Sequence, residues 1–268
     1  TVTVNAGAAN NIKSTLTPSS QNIKVDNIQE ATVLLTLKDE FGNATDVGAP
    51  ADSTGPEQQG SLSGVSVGHW SRVDTGVYQA NIRGTVVGEA TFTQRVGAGN
   101  LPAVKVTFMP LRGSTSVAQA SLTASPLTVD VNKSTELTLT LTDSNGNGVI
   151  GVESISLSSS VRNQSTSRVQ WTEAGNGVYK ASVPLNIAGV HTLETVVNGQ
   201  YAAAQVRVNH PQDPLSVRTV KLLDVPQVVD VDEEMTVKVQ LSDVYGNPVI
   251  GLSGTSITLS SIPKENLI

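Results

Sequence analysis

The stretch LTDSNGNGVIG (141–151) places side-chain oxygens at alternate positions, Asp143, Asn145 and Asn147, with Gly148 directly after. Hard oxygen ligands at that spacing open an EF-hand calcium loop, which must close on a bidentate glutamate at its twelfth position. Counted from Asp143 that position is Ser154, and Glu153 falls one place early. The flanking segments alternate apolar and polar residues, as strands do, where an EF-hand has helices. The corresponding slots elsewhere in the chain read Asp39-Glu-Phe-Gly-Asn and Asp243-Val-Tyr-Gly-Asn, and neither alternates oxygens. What the three share is Asp-x-x-Gly-Asn: Asp39, Gly42 and Asn43; Asp143, Gly146 and Asn147; Asp243, Gly246 and Asn247. Aspartate can bond the backbone two residues on, while glycine, and asparagine more readily than most residues, tolerate positive φ. These nine residues are therefore read as structural parts of a strand connector, not as calcium ligands.

The remaining candidates for chemistry are sparse. Asp230, Asp232 and Glu233, with Glu234, form the best metal candidate, but repeats one and two carry only Asp26 and Asp130 there. A solvated acidic face is the favoured reading. His69, His191 and His210 share no motif, and His191, opposite Ala90 of the other repeat, is read as a partly buried or surface residue. No HExxH, nucleophile elbow or glycine-rich phosphate loop occurs, so no catalytic residue and no cofactor is assigned and the chain is read as no enzyme. With no cysteine, disulfides, thiolate zinc sites and cysteine nucleophiles are excluded. DTGVY (74–78) and GNGVY (175–179) are similar to a tyrosine corner, in which a tyrosine hydroxyl bonds backbone a few residues upstream. Trp70 and Trp171 precede Tyr78 and Tyr179 by eight residues. Both are read as packing against a core rim, with stacking on a sugar as the functional alternative.

The elements that position these residues follow from a repeat. The aspartates Asp39, Asp143 and Asp243 are 104 and 100 residues apart, and the two tryptophans 101 apart, a period the length of a whole domain. Two, four and six residues before each aspartate stand Leu37, Leu35 and Val33; Leu141, Leu139 and Leu137; Leu241, Val239 and Val237. Such alternation is a strand with one buried face. YQANI (78–82) and YKASV (179–183) show the same period, and Asn198-Gly199 marks a hairpin. No helical periodicity is evident, so the class is all-β. The chain has 268 residues, 38% hydrophobic but 3% aromatic, so its cores are expected to be filled by leucine and β-branched residues. Net charge is −6, from 17 basic and 23 acidic residues without a basic run, which disfavours nucleic acid as a partner. No apolar stretch approaches the roughly 18–20 residues that span a bilayer.

These periods divide the chain into the last strand of an earlier repeat (1–10), a first domain (11–109), a linker (110–118), a second domain (119–210) and the first half of a third (214–268). The half-domain is expected to be poorly ordered or covered by a neighbouring molecule. The 48–64 insert of repeat one, rich in Gly, Ser and Pro, is expected to form a loop or irregular edge.

Asp143–Gly151 and Asp243–Gly251 fit Asp-x-x-Gly-Asn-x-Val-x-Gly, which with the downstream Trp…Gly-x-Tyr-x-Ala pattern resembles the signature of bacterial Ig-like (group 1) domains. Such domains stand in tandem in intimin/invasin-type adhesins, also called inverse autotransporters. Ala44 in place of the proline at 248 departs from the pattern. The resemblance implies tandem immunoglobulin-like β-sandwiches, expected here as a monomeric rod. It implies the stalk or adhesive region of a protein exported to the bacterial surface and anchored in the outer membrane by a region outside this chain. The implied partner is a host cell-surface or extracellular-matrix molecule; this fragment is expected to touch neither nucleic acid nor membrane. The alternative is a carbohydrate-binding or spacer module of a secreted enzyme.

Overall fold

The computed structural model describes residues 4–228, 230, 232–253 and 257–258. It divides into two compact units: residues up to Gln119 with Leu141–Glu153 and Gly175–Val178, and Ala120–Thr140 with Ser154–Ala174 and the chain from Tyr179 onward. Among the described residues there is no α-helix, only 3-10 turns at Ser114–Ser116 and Pro214–Ser216, and no helix is long and apolar enough to cross a membrane.

In the first unit, β1 (Thr15–Pro18), β2 (Asn22–Lys24), β3 (Ala31–Thr36), β4 (Glu57–Gln59), β5 (Val65–Val67), β6 (Ser71–Asp74), β7 (Val77–Gly84), β8 (Gly88–Thr93), β9 (Arg95–Val96), β10 (Gly99–Asn100) and β11 (Val104–Met109) follow in order. One sheet runs β1-β3-β7-β5 with β6 also on β7, the facing sheet β2-β11-β8-β4, and β9 pairs with β10. The alternating residues of β3 and β7 meet in register, Val33 opposite Ala80 and Leu35 opposite Tyr78, all four buried. The core joins these to Phe92, Val106 and Phe108 of the facing sheet and to Trp70. Strand β2 lies parallel to β11, the last strand of the repeat, the remaining strand pairs being antiparallel in two facing sheets, as an immunoglobulin-like sandwich is built. The 48–64 insert contributes β4, an edge strand pairing with β8.

The second repeat follows the same plan with β12 (Gln119–Ser125), β13 (Thr128–Asp130), β14 (Lys133–Thr142), β15 (Ser158–Ser159), β16 (Thr172–Gly175), β17 (Val178–Leu185), β18 (Gly189–Val197) and β19 (Gln200–Asn209). Its sheets run β12-β14-β17-β16 and β13-β19-β18-β15, and β13 is again parallel to β19. Leu137, Leu139, Val183, Leu185, Leu193 and Val206 are buried between them. Val197 pairs with Gln200, leaving Asn198-Gly199 as a two-residue turn. Both have positive φ, 49° and 76°, which marks a type I′ hairpin.

The third repeat appears as an antiparallel pair, β20 (Thr219–Leu223) with β21 (Lys238–Ser242). Val220, Leu222 and Met235 are exposed there. The sequence reading of 1–3, 254–256 and 259–268 lies outside the described residues. The 110–118 segment is hydrogen-bonded to the chain beyond Asn147, with Ile150 N–H donating to Leu111 O at 3.1 Å and Gly113 N–H to Ile150 O at 2.9 Å.

Candidate functional site

The three Asp-x-x-Gly-Asn loops share one geometry. The aspartate N–H donates to the asparagine carbonyl at 2.9, 2.9 and 3.0 Å, and the glycine N–H returns to the aspartate carbonyl at 3.1, 3.1 and 3.2 Å. Closing so short a loop forces Gly42, Gly146 and Gly246 to φ of 90°, 84° and 86°, where a Cβ costs about 1–2 kcal/mol. The carboxylate is turned onto its own loop, and Asp39 accepts in addition from Gly7 N–H at 3.1 Å. Asp143 Oδ1 accepts from the N–H of Asn145 at 2.8 Å and of Asn147 at 2.9 Å, and Oδ2 from Asn147 Nδ2 at 2.9 Å. Asp39 bonds Phe41, Asn43 and the Asn43 amide in the same way, as does Asp243 with Tyr245 and Asn247. All three aspartates are buried. Their oxygens face backbone and amide donors, the reverse of a cation site.

Hydrogen bonds set the acidity of two of the carboxylates. Asp39 is lowered to about 2, chiefly by the Asn43 side chain, with further help from the N–H groups of Asn43, Gly7 and Phe41. Asp46 is also lowered to about 2, first by Arg72 and then by Gly76 N–H and the Tyr78 hydroxyl.

Asp46 corrects the tyrosine-corner reading. Tyr78 O–H donates to Asp46 Oδ1 at 2.9 Å, a side chain 32 residues upstream, not to nearby backbone. Gly76 N–H joins the same oxygen at 2.8 Å, and Arg72 Nη2 holds Oδ2 at 2.9 Å. The repeat offered no signal for this cluster, because the slot equivalent to Asp46 is Ile150 in repeat two. Tyr179 is buried like Tyr78.

Trp70, 2% exposed, lies in the core and donates Nε1–H to Gln94 Oε1 at 3.0 Å; it presents no face to a sugar. Trp171 is half-buried and its Nε1 is buried without a partner among the described residues. Gln94 corresponds, 101 residues on, to Thr195, whose buried Oγ1 likewise has no partner among the described residues. His191 corrects another expectation, for it is fully buried between the sheets. A carbonyl can only accept, so Nε2–H donates to Ile187 O at 2.7 Å, while Nδ1 is hydrogen-bonded to Ser159 Oγ at 3.0 Å. Asp230, Asp232 and Glu233 are exposed. Among the described residues no group of three or more His, Asp or Glu side chains converges as a metal site would require.

The repeated two-sheet plan, with its parallel closing pairs, makes this a protein of tandem immunoglobulin-like β-sandwiches. No family model matches the chain. In sequence it is similar to the inverse autotransporter adhesin YeeJ of Escherichia coli K12, 27% identical over 153 residues. That match takes in 55% of this chain and 6% of the relative's length. In fold it resembles the Escherichia coli adhesin FdeC, with a TM-score of 0.58 and 24% identity over 93% of this chain and 79% of that one. It also resembles InvD of Yersinia pseudotuberculosis, at 0.54 and 19% over 90% and 73%, and the integrin-binding protein invasin, at 0.50 and 19% over 89% and 57%. The chain is thus similar in sequence to an inverse autotransporter adhesin over about half of its length while spanning only a small part of that relative, and it shares the sandwich fold of FdeC, InvD and invasin.

Proposed function

We propose that this chain is part of the extracellular stalk or adhesive region of a bacterial outer-membrane adhesin, non-catalytic, and that it promotes attachment to host cells or extracellular matrix. Its anchor would lie in a region outside this chain. The observation that carries the reading is the sequence similarity to an inverse autotransporter adhesin across more than half of the chain. Two further observations support it. The fold is that of FdeC, InvD and invasin, of which invasin is an integrin-binding protein. The polar side chains most suggestive of chemistry (Asp39, Asp143, Asp243 and His191) are spent on internal hydrogen bonds.

The test is binding of the purified chain to immobilised matrix proteins and to epithelial cells, with calcium and with chelator, beside a panel of polysaccharides. Saturable binding to a matrix protein or to cells, equal in calcium and in chelator, is expected. Saturable binding confined to polysaccharides would overturn the reading in favour of a carbohydrate-binding module.

A further inference from the structure

The motif asparagines do more than close their own loops. Asn147 is almost fully buried because its amide engages the turn between β7 and β8, within the same unit. Its Nδ2 donates to Thr85 O at 2.8 Å, and its Oδ1 accepts from Val87 N–H at 3.0 Å. In the second unit Asn247 does the same to the turn between β17 and β18. Its Nδ2 donates to Asn186 O at 2.6 Å and its Oδ1 accepts from Ala188 N–H at 2.7 Å. Each turn is gripped at the carbonyl of its first residue and the N–H of its third.

We propose that the Asp-x-x-Gly-Asn loop is a docking site whose ligand is the backbone of a strand-connecting turn, with the asparagine amide as the recognising group. The chemistry selects asparagine. A primary amide sets a donor beside an acceptor, as a peptide group does. Its orientation is imposed by the loop: Asp143 and Asp243 accept one Nδ2 hydrogen, at 2.9 and 2.8 Å, so Oδ1 must face the turn's N–H. An aspartate here would lose both Nδ2 bonds and set a second carboxylate against the first.

The gripped turns read Thr-Val-Val and Asn-Ile-Ala, and the grip touches only their backbones, so it is indifferent to their side chains. Each turn also has further contacts within its unit. Thr85 N–H donates to Gly64 O at 2.9 Å. Gln164 Oε1 accepts from Asn186 N–H at 2.9 Å, and the buried His191 holds Ile187 O. Asn43 is the internal control, since it has the same Asp39 contacts but is exposed and grips no turn among the described residues.

Amide hydrogen exchange on the whole chain, resolved by NMR, tests this. Asn147→Ala is expected to speed exchange at Val87 by roughly tenfold or more while leaving Ala188 unchanged, and Asn247→Ala to do the converse, because each removes that amide's acceptor. Asn147→Asp keeps an acceptor for Val87 N–H but loses both Nδ2 bonds and sets a second carboxylate against Asp143, so it is expected to speed exchange at Val87 less than Asn147→Ala. Asn43→Ala is expected to change neither amide. Exchange at Val87 and Ala188 that stays at the wild-type rate, with loss of protection confined to the mutated loop, would overturn the proposal.

Discussion

Gln94→Leu should reproduce in the first sandwich the unsatisfied indole already present in the second. The Trp70 indole N–H has one acceptor, Gln94 Oε1 at 3.0 Å, and the tryptophan is 2% exposed. Leucine approximates the shape of glutamine and deletes the acceptor, so the N–H stays buried with nothing to bond. Leaving a buried donor unpaired costs about 1–3 kcal/mol. The other lost contact, Gln94 Nε2 to Arg95 O at 3.0 Å, is exposed and adds little, and the extra apolar burial offsets part of the penalty. A net destabilisation of about 1–2 kcal/mol follows, which for a sandwich of about 100 residues is a Tm lower by about 4–15 °C. The two tryptophans fall one to each repeat, which supplies the assay. In a Trp171→Phe background Trp70 fluorescence reports the first sandwich alone during urea unfolding. A midpoint within error of the Trp171→Phe parent would refute the reasoning.

Other predictions concern acid, core and loop. Asp39 and Asp46, both near 2 in the folded chain, titrate near 3.9 when unfolded. Their contribution is complete above that value and is lost as pH falls towards about 2. The Trp70-reported urea midpoint should therefore drop between about pH 4 and pH 2, with a shallower drop in Asp46→Asn. Leu139, fully buried in β14, should cost about 2–5 kcal/mol when replaced by alanine, read from Trp171 fluorescence in urea. Gly146→Ala meets no atom within 4 Å but keeps φ at 84°, so calorimetry should show a loss of about 1–2 kcal/mol from backbone strain alone.

Most of the fold was legible because period-two alternation and a repeat near 100 residues both survive in single side chains. The buried faces that carry Leu35 and Tyr78 and the Asn198-Gly199 turn follow from those patterns directly, while the register that sets the two side chains opposite each other comes from the structure. Asp-x-x-Gly-Asn was legible as a turn, since its residue types have local uses. Its grip on residues 85–87 and 186–188 was not legible, because those turns are bound through backbone atoms that leave no mark on sequence. Asp46 was missed for a related reason: it acts in one repeat only, so comparison between repeats hides it. His191 was misjudged because its partners, Ser159 and the Ile187 carbonyl, come from distant sequence and a single backbone atom.

Adherence conferred by the chain bears most directly on its function. Bacteria displaying it through a β-barrel anchor should bind epithelial cells or matrix-coated surfaces more than bacteria displaying the anchor alone, and added soluble chain should compete. Adherence no greater than that of the anchor alone, on every cell line and matrix protein tested, would contradict an adhesive role for these repeats.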